Sequence, residues 1–455
     1  MRINVLEIVF VWSRLRDLNP RPRPYHGRAL PLSYGGSSLD DFIAFVPTCR
    51  DSAYFVIAPL ACTEIFVLIS RNSSLHSSFL FGLSYPALAV NTRTAGGLLA
   101  DFFQNYNSFF PRKCVIRTLM KKILVTGGAG FIGSNFIHHV LNTRDYEVVN
   151  LDKLTYAGNL ENLRDIEKNP RYKFVQGYIA DVKFIDQLFE TEKFDGVVNF
   201  AAETHVDRSI TDSSPFIRTN VVGTHTLLEA ARKHGVERYH QVSTDEVYGD
   251  LGDPKPRNAG SGQAIQNYFT ESTPIKPNCP YAAAKASADL LVQSWHHTYG
   301  MNAVITRCSN NYGPYQFPEK LIPFFLFRAM GSQSLPMYGD GKNIRDWLFV
   351  LDHCEAILLV FEKSPAGEIW NIGGHNEKTN LEIADLILKH VPKSKSKIEF
   401  IADRKAHDRR YAMDASKISR ELGWKPRHTF EEALPLTIEW YLKNREWVEN
   451  CRKKV

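Results

Sequence analysis

From residue 120 onward, short runs rich in Val and Ile alternate with longer segments whose apolar residues return at helical spacing. The apolar runs predict strands at Lys122–Thr126, Glu147–Leu151, Lys173–Val175, Gly196–Phe200, Tyr239–Val242 and Ala303–Arg307. Helical spacing predicts helices through Ser134–Leu141, Phe184–Phe189, Val221–His234 and Tyr281–Tyr299. Strands apolar on both faces and separated by helices imply a parallel sheet covered on both sides, and right-handed crossovers make it doubly wound. The expected fold is therefore α/β, with this sheet over 120–311. Past Tyr312 the alternation loosens into a mixed α/β region, read as a smaller lobe over 312–455 that is partly interleaved with the first.

The first 119 residues show no sustained period of 3.6 or 2 and are not read as a domain. They hold 12 basic and 7 acidic side chains, and so carry +5 of the net +6 of the 455-residue chain; only Lys113 among their basic residues is a lysine. The body of the protein is thus nearly neutral, and nucleic acid is not an expected partner. The apolar run Ser52–Ser70 is broken by Pro59 and Glu64, so no membrane span is expected, and Val5–Trp12, behind a single Arg, makes a poor signal peptide. The lysine-poor composition ends at a methionine followed at once by a strand, and Arg14–Gly36 resembles the product of translated non-coding DNA, so translation is expected to begin at Met120. Overall, 44% hydrophobic and 23% charged residues exclude a disordered or collagenous chain. Seven scattered cysteines without a Cys-x-x-Cys pair point to reduced thiols in the cytoplasm, with neither disulfides nor a metal.

Candidate chemistry begins where the first strand runs into Gly127-Gly128-Ala129-Gly130-Phe131-Ile132-Gly133 and then a helix. Gly127 permits the tight turn, Gly130 lets the backbone approach a pyrophosphate, Gly133 packs helix against strand, and the helix amides face the anion. The second strand ends at Asp152, nineteen residues past Gly133, where an acid accepts from a ribose 2′-hydroxyl and repels a 2′-phosphate. A Rossmann-type site for NAD, not NADP, is expected.

Tyr281-Ala282-Ala283-Ala284-Lys285 opens a helix, placing phenol and ammonium one turn apart on one face. A nearby cation is expected to lower the phenol pKa and make Tyr281 a base. The same spacing at Tyr338–Lys342 falls in a glycine turn, where the two side chains need not share a face. The fifth strand delivers Ser243-Thr244-Asp245-Glu246-Val247-Tyr248-Gly249 to the sheet edge where open α/β folds bind ligands. In a regular strand Asp245 and Glu246 would point to opposite faces, so both serve one substrate only if the strand breaks there.

With Asp152–Asn159, Ala201–Ser209, Cys308–Tyr315, Pro318–Pro323, Ile344–Trp347 and His407–Tyr411, these residues make the chain from about Met120 resemble the extended short-chain dehydrogenase/reductases, and more closely the dTDP-glucose 4,6-dehydratases. The resemblance implies a hydro-lyase of deoxysugar biosynthesis that converts dTDP-glucose to dTDP-4-keto-6-deoxyglucose with NAD. C4 is oxidised, water leaves across C5 and C6, and hydride returns to C6. Tyr281, with Lys285 and Thr244, would take the 4-hydroxyl proton, Glu246 the C5 proton, and Asp245 would protonate the leaving hydroxyl. The same resemblance assigns Phe131, Ile132, Asp152, Lys153, Leu154, Thr155, Ile179, Ala201, Ala202, Thr219 and Asn311 to NAD. It assigns Glu203, Thr204, Asn310, Lys320, Leu321, Pro336, Tyr338, Arg345, Asn380, His407, Arg409 and Tyr411 to the nucleotide sugar. It also implies a homodimer through two helices per subunit, for which Phe216–His234 and Tyr281–Tyr299 are the candidates.

The chain departs from the family pattern where Tyr178 stands in place of an acid expected at the adenine, at Lys405-Ala406, and in the serine missing from the Tyr-Ala-Ala-Ala-Lys helix. The loop Gly252–Tyr268 reads equally as a lid or as surface. Competing readings are a dehydratase or 4-epimerase acting on another nucleotide sugar such as UDP-glucose, and a dinucleotide-binding regulator. An epimerase has no need of the Asp-Glu pair, and a pure binder has no use for the full set of Tyr, Lys, Thr, Asp and Glu.

Overall fold

The computed structural model describes residues 44–47, 53–60, 64–71, 79–83, 121–253 and 268–453. The chain divides into two compact units, Met1–Met120 and Lys121–Val455. The described part of the first unit is an antiparallel sheet of β1 (Ala44–Pro47), β2 (Ala53–Leu60), β3 (Glu64–Arg71) and β4 (Phe79–Leu83), paired in that order. The apolar run at Ser52–Ser70 is thereby split between β2 and β3, with Tyr54 opposite Ser70. Its Val, Ile, Phe and Tyr side chains favour extended backbone, a preference that the broken periodicity concealed. The Arg14–Gly36 segment and nearly all of the Gly252–Tyr268 loop lie outside the described residues.

The second unit is built on a seven-stranded, wholly parallel sheet. Its strands are β5 (Lys122–Thr126), β6 (Glu147–Asp152), β7 (Tyr172–Gln176), β8 (Gly196–Asn199), β9 (Arg238–Thr244), β10 (Ala303–Cys308) and β14 (Ile369–Ile372), in the spatial order β14-β10-β9-β8-β5-β6-β7. The order reverses between β5 and β8, and a crevice opens at such a switch point. Register sets what meets there: Thr126 stands opposite both Leu151 and Asn199, so the chain leaves β5, β6 and β8 at one level.

Helices Phe131–Thr143 and Val350–Lys363 contribute Phe136, Val140, Cys354 and Ile357 to the core on one face of the sheet. Helices Val182–Glu192, Thr224–Lys233 and Pro280–Tyr299 contribute Ile185, Leu227 and Val292 to the core on the other. Helix Val350–Lys363 and β14 belong to this layer although they follow residue 312, so the chain returns to the main sheet after entering the lobe. The lobe holds β11 (Asn310–Tyr312), β13 (Ile344–Phe349) and β15 (Glu377–Thr379) in a mixed sheet, and β12 (Leu335–Tyr338) paired with β16 (Ile398–Ile401). Its core gathers Tyr312, Trp347, Phe349, Phe430 and Tyr441.

The helix expected from Val221 begins earlier. Ser214–Phe216, a π-helical stretch Ile217–Gly223 and Thr224–Lys233 run end to end. Widened turns of this kind recur at functional sites.

Candidate active site

One cleft runs along the carboxyl ends of β5 to β10 and is lined by residues of both the sheet and the lobe. At its dinucleotide end Gly127 adopts φ +69°, and a Cβ there would stand 2.7 Å from the Ala201 nitrogen. A Cβ on Gly133 would stand 2.4 Å from the Gly127 oxygen, which is the close helix-to-turn packing expected. Among the described residues no side chain caps the helix Phe131–Thr143, whose first residues Phe131 and Ile132 border the cleft. The uncapped amides leave a place for an anion. Asp152 accepts from Ala129 N at 3.0 Å and from Leu154 N at 2.8 Å, pinning the glycine turn to the end of β6. Burial raises its pKa and these backbone amides oppose the rise. A carboxylate has room for a further donor, so the residues present fit a dinucleotide.

Gly127, Gly130, Phe131, Ile132, Gly133, Asp152, Lys153, Thr155, Ile179, Ala201, Ala202, Thr219, Tyr281, Lys285 and Asn311 all border this cleft. Leu154 does not: its positive φ of 58° turns it into the neighbouring groove with Tyr156 and Leu160, and only its amide serves the site, through Asp152. Tyr178 also lines the cleft, sharing a hydrogen bond of 3.0 Å with the Thr219 hydroxyl, and the Lys153 ammonium lies 4.0 Å from its ring centroid. An aromatic ring braced by a cation therefore occupies the place of the expected acid.

At the other end β9 stops at Thr244 and the chain turns into a 3-10 helix, Asp245–Tyr248. Thr244 caps that turn, its hydroxyl accepting from Glu246 N at 3.3 Å and donating to Asp245 Oδ1 at 3.1 Å. This is the break that two adjacent acids require, and both border the cleft with Tyr281 and Lys285. Asp245 is only 2% exposed, and its Oδ2 has no hydrogen-bond partner among the described residues. Burial, and then the charge of Glu246, hold its pKa well above the ordinary carboxylate range. Burial also raises Glu246, against the pull of Arg404, Arg345 and Lys320.

The expected lowering of the Tyr281 pKa by Lys285 is absent. Burial, followed by Glu246, Cys308 and Cys279, pushes the phenol well above its usual value, while burial lowers Lys285. The reason is geometric as well as electrostatic, since the Lys285 ammonium donates to the Val242 carbonyl at 2.7 Å. The helix start itself is set by Pro280 in its first turn and by Cys279, whose thiol accepts from Ala282 N.

The residues assigned to the nucleotide sugar divide into two groups. Glu203, Thr204, Asn310 and Lys320 border the catalytic cleft, whereas Leu321, Pro336, Tyr338, Arg345, Asn380, His407, Arg409 and Tyr411 do not. The Arg345 guanidinium stacks 4.2 Å over the Tyr411 ring and donates to the Asp408 carbonyl at 2.8 Å. His407 bonds Asp403 at 2.6 Å, edge-on to Tyr338, and Arg409 bonds Asp340 and Asp253. Leu321 and Asn380 open helices, and Pro336 lies on β12. Charge connects the groups: Arg345 is among the cations felt by Glu246, and Glu246 raises the pKa of Tyr411 after burial.

Two residues escape the sequence reading. Asn220, in the π-helical stretch, clamps Glu203 by exchanging hydrogen bonds of 2.9 and 3.0 Å with its backbone, and Arg404 is the first cation acting on Glu246. No motif marks either; only the tertiary contacts do.

A glycine turn at the switch point of a parallel sheet, with a Tyr/Lys pair beside it and a second lobe above, defines a dinucleotide-dependent short-chain dehydrogenase/reductase of the extended kind. A family model described as GDP-mannose 4,6 dehydratase matches residues 124–437. A dTDP-glucose 4,6-dehydratase of Shigella flexneri is 52% identical over 347 residues, covering 73% of this chain and 95% of that protein. The crystal structure of a dTDP-glucose 4,6-dehydratase from Streptomyces venezuelae, with NAD and TYD bound, is 46% identical with a TM-score of 0.68, covering 72% of this chain and 99% of that one. A UDP-glucose 4-epimerase from Thermotoga maritima is similar at 30% identity and a TM-score of 0.64, over 71% of this chain and 99% of that one. The chain belongs to the dTDP-glucose 4,6-dehydratase family.

Proposed function

We propose that the protein is a hydro-lyase that dehydrates dTDP-glucose to dTDP-4-keto-6-deoxyglucose, with Thr244, Asp245, Glu246, Tyr281 and Lys285 as its working residues. The observation that carries this reading is the break of β9 at Thr244, which brings two adjacent acids to one cleft with Tyr281. A 4-epimerase moves no water and has no use for that pair, so a related reaction on UDP-glucose is the lesser reading.

When bound, a nicotinamide dinucleotide would supply hydride acceptance at C4 and hydride return at C6, and the positive charge of its oxidised ring would favour the ionised phenol of Tyr281. Tyr281 accepts the 4-hydroxyl proton, with Thr244 holding that oxygen and Lys285 fixing the helix that presents the phenol. The resulting 4-ketone acidifies the C5 proton, which Glu246 removes. Asp245, kept protonated by burial and by its anionic neighbour, gives its proton to the departing C6 hydroxyl. One carboxyl thus acts as acid and the other as base because their environments separate their proton affinities.

Glu203, Thr204, Asn310 and Lys320 would hold the sugar end, with Arg345, Arg409, His407 and Tyr411 toward the diphosphate and nucleoside, because guanidinium groups suit a diphosphate. The protein would act in the cytoplasm; among the described residues no helix is long and apolar enough to cross a membrane. It would pair as a homodimer through helices 214–233 and Pro280–Tyr299. These leave Ile217, Val222, Leu290 and Tyr299 exposed, a cost that a partner copy would remove.

Proton NMR of the product from dTDP-glucose deuterated at C4, with a trace of NAD, tests the reading. A 4-keto-6-deoxy sugar with deuterium at C6 is expected. Unchanged substrate beside normal NAD binding would reject the base assignment, and UDP- and GDP-sugars would be tried next.

A further inference from the structure

Glu319 joins three loops at the dinucleotide cleft. Its Oε1 accepts from the Tyr156 phenol at 3.0 Å, and His205 Nε2 and Arg208 Nη2 stand 3.6 and 3.9 Å from its Oε2. Tyr156 comes from the loop after β6, His205 and Arg208 from the segment after β8, and Glu319 from the chain leading into helix Leu321–Met330. Each segment lines the cleft, through Thr155 and Gly158, through Glu203 and Thr204, and through Phe317 and Glu319. Ring contacts reinforce the junction: the Arg208 guanidinium lies 3.7 Å over the Tyr156 ring, which meets Phe317 edge-on at 5.6 Å. The Glu319 side chain is 15% exposed, against 25% for His205 and 46% for Arg208, so the carboxylate is sheltered while its cationic neighbours are partly screened by solvent.

No chemical step described above uses Glu319 or Tyr156. We propose that Glu319 is a positioning residue that retains the nicotinamide dinucleotide between the two hydride transfers, clasping the loops after β6 and β8 to the lobe across the cleft. The inference rests on the dinucleotide part of the proposed function. The reaction creates the need for such a clasp, because loss of the reduced dinucleotide before C6 is reduced strands the sugar as an unsaturated ketone.

Glu319→Gln keeps the shape and removes the charge. NADH release is followed by fluorescence after dilution into excess NAD, with no sugar present, and the dinucleotide carried per purified chain is measured alongside. Loss of a charge-assisted contact predicts release roughly tenfold faster, with less dinucleotide retained and a turnover that depends more steeply on added NAD than the parent's. Tyr156→Phe removes one hydrogen bond and keeps the ring under Arg208, so release about two- to fivefold faster is expected. Parent-like release from both variants overturns the inference while leaving the dinucleotide reading intact. If Glu319→Gln fails to fold, the Tyr156→Phe rate decides alone. A parent that binds no NADH overturns both.

Discussion

The ammonium of Lys285 donates to the carbonyl oxygen of Val242 at 2.7 Å, tying the helix that carries Tyr281 to the strand that ends in Thr244 and the two acids. This hydrogen bond between buried groups holds the base near the acid pair, together with the packing of Ala286 against Val247 and Tyr248. Lys285→Met leaves that carbonyl unpaired, at an expected cost of about 1–3 kcal/mol, and lowers kcat by roughly a hundredfold or more. Denaturant unfolding and turnover measure the two effects; a slow variant with parental stability would show that the tie is not structural.

The raised pKa of Asp245 makes stability depend on pH. Because the folded value exceeds the unfolded one, the contribution of this group is intact below the ordinary carboxylate range and is lost as pH rises through the raised value. Asp245→Asn removes that loss. The variant is expected to be about 1 kcal/mol more stable than the parent near pH 8, equal to it near pH 4, and inactive in elimination. Thermal unfolding at both pH values checks the sign.

Tyr281→Phe and Glu246→Gln separate the half-reactions. The first is expected to suppress oxidation at C4 by about a thousandfold. The second is expected to leave that oxidation detectable and to stop exchange of the C5 proton with deuterated water. Parent-like exchange at C5 in Glu246→Gln would remove Glu246 from the base role.

Asp152 holds the glycine turn through Ala129 N and Leu154 N, besides the ribose contact expected of it. Asp152→Ala removes bonds to a charged acceptor and is expected to weaken NAD about 10- to 100-fold, and NADP by less. Titration with both dinucleotides gives the ratio, and an unchanged preference would assign Asp152 to the turn alone.

A chain beginning at Met120 is expected to bind NAD and to unfold within about 2 °C of the full chain, since Lys121–Val455 forms its own compact unit and the family match lies within 124–437. Differential scanning calorimetry with and without NAD tests this. Intact-mass measurement of the protein from its native source tests the start itself, because a mass that includes residues 1–119 would exclude translation from Met120.

Local pattern made the first six strands of the main sheet legible, because a strand covered on both faces must be apolar throughout, whatever its neighbours are. The seventh, β14, was hidden: Ile369–Ile372 has only four residues and lies 57 residues past Tyr312, deep in what reads as lobe. The π-helical start at Ile217–Gly223 was hidden as well, since its hydrogen bonding follows from packing around Thr219 and Asn220 and not from periodicity.

The sequence by itself determined the glycine turn, the acid at the end of β6, the Tyr/Lys spacing and the adjacent acids, because each depends on residue type and short spacing. Only the tertiary structure decided that β9 breaks at Thr244 so that both acids enter one cleft, that Lys285 turns to Val242 and leaves the phenol's pKa raised, and that Leu154 faces away. The physical reason is common to all three. Burial, and the partner a polar group finds in it, are set by elements distant along the chain, and these cannot be read from the neighbours in sequence.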